Sequence, residues 1–75
     1  NKGEALKELV KYLCIDRKEV IAFGDNYNDL DMLKFAGMGV VMGNADEAVK
    51  EQGDYVTSTN TEDGVAKAIY KFLGI

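Results

Sequence analysis

Seventy-five residues with 47% hydrophobic content fit one small folded domain rather than a disordered segment. A net charge of -4, with no basic run longer than Arg17-Lys18, argues against nucleic acid or an anionic membrane surface as partner. The absence of histidine excludes His-based zinc sites and Ser-His-Asp or Cys-His catalysis within the chain.

A helix is predicted from Asn1 to Leu13, because Leu6, Leu9, Val10 and Leu13 recur at helical spacing. Asn1 is its N-cap, and Glu4 stands where a capping box needs it. The single cysteine, Cys14, is expected to be a small buried hydrophobe in a reducing compartment. Val20 to Phe23 reads as a strand buried on both faces, since its apolar run has no polar alternation. Leu30, Leu33 and Ala36 then mark a short helix closed by Gly37. Met38 to Met42 is a second buried strand, with Gly43-Asn44 as the turn after it. A short helix follows from Asp46 to Gln52, then a brief strand at Tyr55-Val56. Thr59 and Glu62 form another capping box ahead of a last amphipathic helix carrying Val65, Ala68, Ile69, Phe72 and Leu73, stopped by Gly74.

This alternation implies an α/β fold, a three-layer parallel sheet with helices on both faces. Three short strands leave exposed edges, so the chain is expected to be the C-terminal half of a doubly wound domain, a piece of something longer. Its single partial domain covers residues 1–75. In such sheets ligands bind beyond the carboxyl ends of the strands. Those ends are Asp25, Asn44 to Asp46, and Thr57 to Asn60. No stretch has membrane-spanning length and no signal-peptide pattern opens the chain, which makes the cytoplasm the expected location.

The stretch GDNYNDLDM at residues 24–32 concentrates oxygen donors at the first strand end. In a purely structural reading, Asn28 caps the next helix and Asp31 is its partner. That reading leaves Asp25 and Asp29 without a purpose. A hard cation such as Mg2+ takes one or two carboxylates, and these two suit it. Spacing alone leaves both readings open. An EF-hand fails, because Leu30 stands where its glycine belongs. The glycines around Met38 to Met42 are turn glycines rather than a dinucleotide fingerprint. Lys2, in the first turn of the first helix, opposes the helix dipole unless it serves an anion. Tyr27 is expected to shield the site, and Tyr12 and Tyr70 to lie at rims. Thr57 to Asn60 is expected to do turn and capping work.

GDNYNDLDM resembles the fourth signature of the haloacid dehalogenase superfamily phosphatases, G-D-x-x-N-D. NKGEALKELVKYLCI resembles their third, a lysine followed by G-x-A-L-x-x-L. The remainder, from GMGVVMGNADEAVKEQGDYV onward, is similar to the tail of the Cof-type branch. The resemblance implies Asp25 as a direct Mg2+ ligand and Asp29 as support for the metal. It implies Lys2 neutralising the phosphoryl group and Asn28 bonding the substrate's phosphate side. The implied reaction is hydrolysis of small phosphorylated metabolites, sugar phosphates among them, through an aspartyl-phosphate. The family's D-x-D-G-T/V string, with its nucleophile, is absent from these residues, as is the cap domain. The chain alone is therefore expected to be inactive, with the N-terminal half of the same core as its partner. Alternatives are a receiver-type phospho-acceptor domain and a non-catalytic fragment whose acidic loop only caps a helix.

Overall fold

The first helix, α1 (Lys2–Leu13), starts where the Asn1 side chain accepts the Glu4 N–H at 2.8 Å. The structure, a computed structural model, describes residues 1–59 and 62–74. A left-handed residue ends α1: Cys14, at φ 57°, donates its N–H to Lys11 O. This corrects the expectation for Cys14, which is exposed. Its C-cap geometry turns it away from the core. A 3-10 turn at Arg17–Glu19 follows, its start fixed by a reciprocal box between Asp16 and Glu19. The D-x-x-E spacing carried that signal.

The strands are β1 (Ile21–Gly24), β2 (Met38–Val41) and β3 (Tyr55–Val56). They form one parallel sheet in the order β1-β2-β3. β1 begins and ends one residue later than expected, so Gly24 belongs to it. Ala22 pairs with Gly39 and Gly24 with Val41, which places these four on one face. That face packs α2 (Leu30–Phe35) and the short α3 (Glu47–Lys50). Leu33, Ala36 and Val49 bury against Ala22 and Val41 there. α4 (Gly64–Leu73) covers the other face, where the Phe72 ring meets Tyr55 edge-on at 4.9 Å. The sheet is thus sandwiched in three layers, as the alternation implied.

Two amphipathic stripes are only partly covered. Val10 and Ala68 are buried, but Leu9, Leu13, Val65 and Leu73 are exposed. Periodicity identified the helices; it could not say what would cover their outer turns. α4 also starts later than the Thr59 box implied. Glu62 does reach back to the Thr59 N–H at 3.3 Å, yet the helix begins at Gly64 after a left-handed Asp63. Asn60 lies outside the described residues. No helix among them is long and apolar enough to cross a membrane.

α1 lies directly on α2, and Gly3 is where they touch. A Cβ at Gly3 would stand 2.6 Å from Asp31 Cβ and 2.9 Å from its carbonyl carbon. Gly3→Ala is therefore expected to destabilise the full-length protein by about 1–2 kcal/mol. The clash costs ~1–3 kcal/mol, and the gain in helix propensity, roughly 1 kcal/mol, offsets only part of it. Urea unfolding measures the difference.

Candidate functional site

Everything at the site hangs on the carboxyl end of β1. The Met42 N–H donates to Gly24 O at 2.9 Å, so the loops after β1 and β2 leave the sheet side by side. A Cβ at Gly24 would stand 2.6 Å from Asp29 Cβ and 2.9 Å from Asp29 Oδ2. Only glycine lets the Asp29 carboxylate fold back onto the strand end.

The local cap differs from the expected one. A 3-10 turn spans Tyr27–Asp29 ahead of α2, and Asn26, not Asn28, is its N-cap. Asn26 Oδ1 accepts the Asn28 N–H at 2.8 Å, and Asp29 Oδ2 accepts the Asn26 N–H at 3.3 Å. Asp29 is thus the box partner in place of Asp31, which is exposed. The physical reason is the tighter turn. It starts three residues before the helical periodicity does and needs its own cap. Sequence reasoning missed Asn26, although Asn26-x-x-Asp29 has the same spacing as Asn28-x-x-Asp31.

Asp29 is the hub. Its side chain is 6% exposed, and Oδ1 accepts from Lys2 Nζ at 2.6 Å. Oδ2 accepts the Asp25 N–H at 2.9 Å as well as that of Asn26. Burial pushes the Asp29 carboxyl up. The Lys2 ammonium and the two backbone N–H groups outweigh burial and hold it below the ordinary 3.8. Asp29 is therefore an anion with both oxygens engaged. The Lys2 side chain is 57% exposed beside that anion.

Asp25 is half-buried at the strand end. Its Oδ2 accepts from Asn44 Nδ2 at 3.4 Å, a contact between two loops 19 residues apart. Asn28 is exposed on the turn, and Tyr27 is 57% exposed beside it. Of the third loop, Thr57 is buried and its hydroxyl donates to Gly64 O at 2.8 Å. It ties β3 to the start of α4, as turn chemistry implied. Lys2, Asp25, Asn28 and Asp29 thus gather around one strand end.

Among the described residues, no group of three or more acidic or cysteine side chains could enclose a metal ion. The donors at the strand end are nevertheless all oxygen. A hard divalent cation needs only one or two protein carboxylates when water and phosphate complete its shell. Asp25 fits that part, and Asp29 fits that of a neighbour orienting it.

A family model described as haloacid dehalogenase-like hydrolase matches residues 1–69. The chain is 54% identical over 69 residues to the 5-amino-6-(5-phospho-D-ribitylamino)uracil phosphatase YcsE of Bacillus subtilis, covering 92% of this chain and 28% of that protein. It is 47% identical over 73 residues to the pyridoxal phosphate phosphatase YbhA of Escherichia coli, covering 97% of this chain and 27% of that protein. The crystal structure of a haloacid dehalogenase-like hydrolase from Bacteroides thetaiotaomicron superposes with a TM-score of 0.93 at 57% identity, covering 96% of this chain and 27% of that one. The chain thus spans about a quarter of the length of each of these three relatives.

Proposed function

Because the chain belongs to the haloacid dehalogenase-like hydrolases, in their Cof-type branch, we propose that it is the C-terminal part of the core of a Mg2+-dependent phosphomonoester phosphatase. One observation carries this reading. Lys2 and Asp25, 23 positions apart in sequence, are joined through one buried carboxylate, with Asp29 Oδ1 on the ammonium at 2.6 Å and Oδ2 on the Asp25 N–H at 2.9 Å. A cation and a carboxylate held on one rigid mount suit a phosphoryl group and its metal.

Each residue then has a task. Asp25 would hold Mg2+, which when bound supplies Lewis-acid stabilisation of charge on the phosphoryl oxygens. Asp29 fixes the Asp25 backbone and the Lys2 ammonium, and supports the metal without being obliged to touch it. Lys2 neutralises the anionic phosphoryl group and the nucleophile. Asn28 bonds the phosphate side of the substrate. The nucleophilic aspartate that forms the aspartyl-phosphate belongs to the N-terminal half of the same core, outside these residues. The substrate is a small phosphorylated metabolite of sugar-phosphate type, and the working compartment is the cytoplasm. The phosphorylated ribityl compound in the name of the Bacillus subtilis relative supports the substrate class.

Phosphate release tests the proposal. The full-length protein is expected to hydrolyse p-nitrophenyl phosphate and sugar phosphates with Mg2+ and to stop when EDTA removes it. The 75-residue chain alone is expected to release none. Turnover by the isolated chain, or EDTA-resistant turnover by the full-length protein, would refute it. Family membership sets aside the receiver-type reading. The capping-only reading differs in expecting full activity without Asp25.

A further inference from the structure

We propose that Asn44 is a positioning residue for Asp25, holding in place the carboxylate that the preceding reading assigns to the metal; the inference rests on that reading. Asn44 stands on the turn after β2. The Ala45 N–H donates to Met42 O at 3.0 Å, which closes a four-residue turn with Asn44 third. Ala45 anchors one side of this turn by burial in the core. On the other side the Gly43 N–H donates to Ser58 O at 3.2 Å. A Cβ at Gly43 would stand 2.8 Å from Thr57 O, so the turn is seated directly on the loop after β3.

From that seat Asn44 Nδ2 donates to Asp25 Oδ2 at 3.4 Å. The Asp25 backbone is already fixed by its N–H bond to Asp29. What remains free is the torsion of the Asp25 side chain, and the amide acts on that freedom. A carboxylate already turned to its working orientation loses less freedom when it takes up a cation. A neutral amide does this without placing a second positive charge where the cation must sit.

The test uses the full-length protein and Mg2+ alone, titrated by calorimetry, beside thermal unfolding of the metal-free protein. Asn44→Ala is expected to weaken Mg2+ binding about tenfold, the lower end for an outer-shell partner, with an unchanged metal-free Tm. Asn44→Ser, whose hydroxyl is too short to span the gap, is expected to do the same and stands in if the first variant misfolds. Unchanged Mg2+ affinity in a folded Asn44 variant, while Asp25→Ala abolishes binding, would overturn the positioning role and leave the reading of Asp25 intact. Mg2+ affinity unaffected by Asp25→Ala would overturn both.

Discussion

Asp25→Ala in the full-length protein is expected to lower kcat/KM for phosphomonoester hydrolysis by about three orders of magnitude, roughly 4 kcal/mol of transition-state stabilisation. Stability should hardly change. Asp25 is half-buried, the short bond that orders its loop runs through its backbone N–H, and its carboxylate adds only one long, exposed bond to Asn44. The loss should appear in kcat at saturating substrate and resist rescue by excess Mg2+. A variant that kept more than a tenth of the activity would return the acidic loop to a purely capping role. Steady-state kinetics against Mg2+ concentration, with circular dichroism as the folding control, decides it.

Asp29→Ala is expected to cost both stability and activity. Its carboxylate is the acceptor for two backbone N–H groups and the Lys2 ammonium. Removing it strands donors at about 1–3 kcal/mol for each group left dry. The Asn26 side of the turn is exposed and rewets, so the expected loss is roughly 2–4 kcal/mol, read from urea unfolding. Lys2 contributes little of this, because its side chain is 57% exposed and solvent screens the pair. Activity should fall at least about a hundredfold, since Asp25 loses the bond that aims its backbone. A stability change under about 0.5 kcal/mol, the range of ordinary surface substitutions, would contradict the hub role.

Acidity probes the same group. The folded Asp29 pKa lies below 3.8, whereas the unfolded carboxyl sits near the ordinary value of about 3.9. The unfolded state therefore takes up its proton first as pH falls. The Asp29 contribution is complete above about pH 5 and is lost as pH drops through the folded pKa. Asp29→Asn, which cannot titrate, should remove this part of the acid dependence. Parallel stability curves for the two proteins below about pH 4 would count against it.

Much of the fold was legible because it rests on local pattern. The unalternating run at Val20 to Phe23 and the glycine stop at Gly74 require only neighbours in sequence to interpret, whereas α2 ends through an extended Ala36 and Gly37 turns its N–H to Arg17 O instead of capping the helix. What escaped needs partners elsewhere. Leu9 and Leu73 sit on genuine helical stripes, yet exposure depends on what packs against them, and a stripe does not name its cover. Cys14 is apolar enough for a core, but its position was decided by the backbone reversal that ends α1. Asn26 and Asn28 offered two overlapping boxes, and helical periodicity favoured the wrong one because a 3-10 turn has none of its own. At the site, Lys2 and Asp25 were legible through motif. The Lys2 bond to Asp29 and the Asn44 bond to Asp25 were not, since each closes a gap that only the sheet spans.

The Gly3 contact has a bearing on which sequence changes the molecule can absorb. Where α1 crosses α2 at Gly3, the α1 backbone comes directly against Asp31. The height and tilt of the ammonium next door at Lys2 therefore depend on a close approach that leaves no room for a side chain at position 3. Leu9, Tyr12 and Leu13 can drift through many substitutions without moving it. A single methyl at position 3 lifts the whole end of the helix. A library randomised along α1 should return activity with a broad choice of residues at every exposed position except Lys2, and almost none at position 3.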